Sequence, residues 1–86
     1  MMVPTVHLNG TSKDALIAPL VEARGRVREA RDAFVECEPN ARDYYLQGPD
    51  SFKKAADEHR RRCKALDEID AELIEMIFAI EDQGRS

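Results

Sequence analysis

From Leu16 onward, apolar residues return at spacings of 4, 3, 4, 3, 4 and 3, through Leu20, Ala23, Val27, Ala30, Phe34 and Cys37. A repeat that averages 3.5 residues keeps one stripe on one side of an α-helix, as in helices packed lengthwise on one another. The stripe predicts a first helix over 13–37. Thr11 or Ser12 supplies the capping oxygen, and Asp14 places a negative charge where the first N–H groups point outward. Two residues work against the helix. Pro19 removes one hydrogen bond and is expected to kink it near its start, and Gly25 costs up to about 1 kcal/mol relative to alanine.

Pro39 closes that helix, and residues 38–49 read as a loop. Pro49 and Asp50 begin a second helix, proline suiting a first-turn position and aspartate a cap. Its stripe is Phe52, Ala56, His59, Cys63, Leu66, Leu73, Ile77 and Ile80, with Ile69 and Met76 beside it and Asp70 interrupting it. Gln83-Gly84 stops the helix after 82. Residues 1–11, MMVPTVHLNGT, hold β-branched residues and then Asn-Gly, so they read as an extended arm ending in a turn.

The fold class is therefore all-α: one domain over 1–86, an antiparallel two-helix hairpin with a short extended N-terminal segment. Folding back about the loop sets residue 31 near 58 and residue 24 near 65. The stretch Leu73–Ile80 is apolar on too many sides for one partner helix, so the hairpin is expected to join copies of itself in a homo-oligomeric helical bundle.

Composition narrows the picture. Eighty-six residues, 43% hydrophobic and 35% charged, make one small domain and exclude large multi-layer enzyme folds. No apolar run approaches the roughly 18 residues of a membrane span, and no charged segment precedes an apolar leader. The expected location is the cytoplasm, where Cys37 and Cys63 are buried thiols rather than a disulfide. A net charge of −4 hides an asymmetry: residues 51–64 carry a local +4 and residues 65–86 a local −6. Sequence-specific nucleic-acid binding is not expected of so acidic a chain, while a local anion site is.

Candidate chemistry gathers in the loop. Tyr44 and Tyr45 stand beside Arg42, Asp43 and Gln47, with Lys53 and Lys54 just beyond, in the first turn of the second helix, where the helix dipole also favours anions. Aromatic rings stack on nucleobases, and guanidinium and amide groups read base edges or hold phosphates. The alternative is that the tyrosines fold back and cap the hairpin. The run Arg60-Arg61-Arg62 with Lys64, set level with Arg24, Arg26, Arg28 and Arg31, is either a phosphate-binding cluster or a solvated face paired with nearby acids. His59, on the apolar stripe, is either a hydrogen-bonded core residue or a ligand contact. His59 and Cys63 have the i, i+4 spacing of zinc ligands, but no further ligand follows them, so no metal or other cofactor is expected. No nucleophile elbow, P-loop or dinucleotide fingerprint is present, and an enzyme is not expected.

VHLNGTS at 6–12, PNARDYYLQG at 39–48 and EHRRR at 58–62 together resemble a family of small helical proteins encoded by phages and prophages. The family pattern is HLNGT, then GRDYYPQG, then EHxxR. It implies shared polar positions at His7, Asn9, Thr11, Arg42, Asp43, Tyr44, Tyr45, Gln47, His59 and Arg62. The chain departs from it at Ala41, where the pattern has glycine, and at Leu46, where it has proline. The resemblance implies an origin in a phage and, from that, a protein that counters host defence by holding a cyclic nucleotide signal without cleaving it. Such binders are commonly helical oligomers with sites between subunits. On this expectation Tyr44 and Tyr45 stack on base, Arg42, Lys53 and Arg62 pair with phosphate, and Gln47 and His59 hydrogen-bond. His7, Asn9 and Thr11 complete the site from a neighbouring subunit. The rival expectation is a protein–protein module acting through the acidic second helix, or a minor phage structural or assembly protein.

Overall fold

The computed structural model describes residues 1–84, and among them two helices and no strand are found. Helix α1 spans Lys13–Ala33 and helix α2 spans Ser51–Glu81. Ser12 is the cap of α1, its hydroxyl accepting from the Ala15 N–H at 3.2 Å. The helix runs through Pro19 as one element, and the Ala15 carbonyl, four residues back, is left without its usual donor. The last turn expected of α1 tightens into a 3₁₀ turn over Phe34–Cys37. Cys37 is exposed there, against the expectation of a buried thiol, because the chain is already leaving α2; Cys63 is buried and both cysteines are free.

The connection is not a simple bend. Two further 3₁₀ turns, Ala41–Asp43 and Tyr45–Gln47, occupy the expected loop, the first capped by the Asn40 side chain accepting from the Arg42 N–H at 3.0 Å. Gly48 has φ +118, a backbone conformation that L side chains rarely adopt, and it turns the chain into α2. Asp50 sits at the cap position of α2, yet its carboxylate makes no capping bond. Instead the Ser51 hydroxyl donates back to the carbonyls of Gly48 at 2.6 Å and Tyr44 at 3.1 Å.

Because the loop folds back along the first turns of α2, α1 docks further down α2 than a symmetric bend allows. Arg31 Nε meets Asp67 Oδ1 at 3.0 Å and Arg24 Nε meets Asp70 Oδ1 at 3.0 Å. The expected levels, 31 with 58 and 24 with 65, are therefore corrected by more than a helical turn. Asp70, which breaks the apolar stripe, is half-buried at the seam, and Arg24 takes the place opposite it that the stripe assigns to Ala23, which is exposed. The Arg24–Asp70 contact is an ion pair without the alignment of a hydrogen bond.

The open end is closed by a clasp. The Lys13 ammonium donates to the carbonyls of Glu81 at 3.0 Å and Gln83 at 2.7 Å, a cation placed on the negative end of α2. The Gln83 side chain accepts from the Val6 N–H at 2.8 Å and donates to the Pro4 carbonyl at 2.6 Å. Through it the extended arm lies against the end of α2.

Burial is sparse. Among the described residues only Cys63 and Ile80 are buried, while Leu16, Leu20, Val27, Phe34, Leu66, Leu73 and Ile77 are half-buried along the seam. The rod measures 63 × 19 × 19 Å. No helix is long and apolar enough to cross a membrane, among the residues described.

Candidate ligand site at the loop end

The loop and the first two turns of α2 extend past the end of α1, and half of the sequence-derived candidates, Arg42, Tyr44, Tyr45, Gln47 and Lys53, lie there. The two tyrosines divide. Tyr44 is half-buried, its ring 6.4 Å from that of Phe52 at an interplanar angle of 48°, so it caps the hairpin. Tyr45 is 72% exposed and free to meet a ligand ring. Arg42 and Gln47 are exposed beside it. Tyr44 and Gln47 also line a shallow hollow of about 210 Å³ with Ser51, Lys54, Ala55 and Glu58. Ala41 has no positive φ, so alanine stands without backbone strain where the family pattern has glycine.

The cations of α2 fall into two sets. Lys53 donates to Asp57 at 3.1 Å, Arg60 also pairs with Asp57, and Arg62 lies 3.7 Å from Glu58. These are pairs within one helix, one turn apart, and they partly neutralise Lys53 and Arg62. The Lys53 hydrogen bond, with Arg60 adding to it, holds the Asp57 carboxyl below its ordinary value of 3.8. Lys54 and Arg61 make no ion pair among the described residues. With Asp50, Lys53, Asp57 and Glu58 they line an open hollow of about 600 Å³. The sequence-derived site omits these two residues. Their signal is a spacing of seven, which puts them on one helix face, together with the count of acids already taken by Lys53, Arg60 and Arg62.

His59 takes the place of a core residue. It is half-buried, its ring 6.1 Å from Phe34 and its Nε2 3.6 Å from Cys63 Sγ. Among the described residues no group of three His, Cys, Asp or Glu side chains could hold a metal ion. Of the two readings of the arginine run, ion pairing is what the structure shows: Arg26 pairs with Glu22 and Glu29, Arg60 with Asp57 and Arg62 with Glu58, while Arg24 and Arg31 are drawn to Asp70 and Asp67. Arg31, its guanidinium pKa raised by the Asp67 hydrogen bond, shares a hollow of about 460 Å³ with His59, Arg60 and Lys64 among others.

His7, Asn9 and Thr11 lie at the other pole of the rod. The His7 carbonyl accepts from the Gly10 N–H at 3.1 Å, closing the turn that Asn-Gly announces. The imidazole lies over that turn, so that a Cβ at residue 10 would come within 2.6 Å of Nε2. Within one chain the arm is held at Gln83 and is not brought to the loop.

Comparison of the chain with protein-family models, with curated proteins and with solved structures finds no match.

Proposed function

We propose that the protein is a non-enzymatic, phage-encoded anti-defence factor. In this reading it acts in the bacterial cytoplasm as a homo-oligomer and sequesters a cyclic nucleotide or a related phosphate-bearing ligand at its loop end. The observation that carries the reading is the exposed Tyr45 ring in the same 3₁₀ turn as Gln47, which shares a hollow with Lys54, while Lys54 and Arg61 line the neighbouring hollow without ion-pair partners among the described residues. Tyr45 stacks on the base, Gln47 hydrogen-bonds to its edge, and Arg42, Lys54 and Arg61 take the phosphates, with Lys53 and Arg62 recruited from their acidic neighbours. Tyr44 and His59 hold the frame. His7, Asn9 and Thr11 reach such a site only from another subunit.

The test is thermal unfolding against a panel of cyclic di- and oligonucleotides. A ligand at about 100 times its Kd stabilises the folded form by about 2.7 kcal/mol, so the expected result is a selective rise in Tm. Tyr45→Ala should remove the rise while leaving the unliganded Tm in place, and the nucleotide should be recovered intact after denaturation. The absence of a shift with every nucleotide would overturn the reading.

A second reading has its own observation. Glu68, Glu72 and Glu75 are exposed and make no ion pair among the described residues, so α2 offers an acidic face to a basic protein. It predicts that reversing these three charges abolishes partner binding while Tyr45→Ala does not.

A further inference from the structure

The hairpin exposes too much surface for its mass. A compact protein of this mass exposes about 5,100 Å² and has a radius of gyration of about 12 Å. This chain exposes 6758 Å² with a radius of gyration of 19.1 Å. The surplus, about 1,600 Å², lies within the roughly 1,000–2,500 Å² that each protomer of an obligate homodimer buries.

The Arg31–Asp67 ion pair identifies which flanks of the two helices share a side. In step with Arg31 on α1 are Ile17, Val21, Arg24 and Arg28, at spacings of 4, 3, 4 and 3. In step with Asp67 on α2 are Ala71, Ile74 and Phe78, at spacings of 4, 3 and 4. The two stripes therefore run side by side on one face. Toward the open end that face is apolar: Val21 is 53% and Phe78 59% exposed, with Ile17 and Ile74 half-buried. Toward the middle it is cationic along α1 and anionic along α2. Arg28 makes no ion pair among the described residues, and the Asp67 side chain stays 58% exposed despite Arg31.

We propose that this face is the seam of a homodimer whose two-fold axis runs parallel to the helices. That operator lays α1 of one copy on α2 of the other with both open ends together. Ile17 and Val21 then meet Ile74 and Phe78 of the second copy, and Arg28 meets the Asp67–Asp70 carboxylates. A two-fold axis across the helices lays α1 on α1 instead, opposing arginine to arginine and setting Phe78 against the Arg60–Lys64 end. Charge and apolar pattern both select the first arrangement. The result is a four-helix bundle with both loop ends at one pole. The inference goes beyond the nucleotide reading and stands without it.

Sedimentation equilibrium of the full chain is expected to give a dimer or an even multiple, and Phe78→Glu to weaken the association by about 30-fold or more. Orientation is read separately, by adding a short bis-maleimide to Phe78→Cys in a Cys37→Ser background. Linking of two copies through position 78, with none when the cysteine is placed at Ala18 instead, is the expected result. A monomer at micromolar concentration would leave the face to a different protein and overturn the proposal. So would a dimer that fails to link through position 78.

Discussion

The Gln83 side-chain amide receives the Val6 N–H at 2.8 Å and gives its own N–H to the Pro4 carbonyl at 2.6 Å, so one glutamine stands in for a paired peptide. Apart from half-buried Val3 and Val6 the arm has little apolar anchoring, since Leu8 and the first two methionines are exposed. Gln83→Ala should lower stability by about 1 kcal/mol, as expected for lost hydrogen bonds of this kind. Amide hydrogen exchange would show the loss as faster exchange at Val6, with α2 amides near Cys63 little changed.

Gly25 sits inside α1 with no heavy atom within 4 Å of the position a Cβ would take, and its φ is not positive. Alanine fits there without strain and narrows the unfolded ensemble. Gly25→Ala should therefore raise stability by about 0.5–1 kcal/mol, seen as a rise of several degrees in Tm.

Arg24 and Asp70 form a half-buried pair whose hydrogen-bond geometry is poor. Asp70→Ala leaves the guanidinium at the seam without its counter-charge and should destabilise by about 1–3 kcal/mol. Replacing both residues by leucine should restore most of that loss, since an apolar pair needs no alignment. Urea melts of Arg24→Leu, Asp70→Leu and the double leucine variant would measure the coupling.

Asp57 is held below its ordinary value of 3.8 chiefly by the Lys53 hydrogen bond. Any stability from the depressed carboxyl is present above the ordinary value and is lost as the pH falls through the lowered one. A carbon-13 NMR titration should place its midpoint below 3.8, and Lys53→Ala should move it back up. Asp57→Asn frees Lys53 and Arg60 together. If the loop end is an anion site, that variant should bind a nucleotide several-fold more tightly at low salt, and the gain should fade as salt is raised.

Both helices, the Ser12 cap and the Asn-Gly turn were legible because each rests on neighbours a few residues apart, where period and side-chain type decide. The register was not. It depends on how Asn40, Gly48 and Ser51 wind the loop back along α2, and three 3₁₀ turns leave no periodic trace. Asp70 read as a flaw in a stripe because its partner, Arg24, is distant in sequence. At the site, Tyr44 and Tyr45 are adjacent and chemically identical. Only the position of Phe52 makes one a cap and leaves the other in solvent. Lys54 and Arg61 were legible as members of a basic run but not separable from it, because availability is decided by which acids the neighbouring cations already hold.

With only Cys63 and Ile80 buried among the described residues, the chain keeps almost no interior of its own. Segments of α1 and α2 can part without exposing a core, so partial opening costs little compared with a globular domain of equal length. Proteases cut such open forms in proportion to how often they occur. Whatever covers the seam therefore sets the lifetime of the polypeptide, and covered by a second copy, the protein survives longest where it is most abundant.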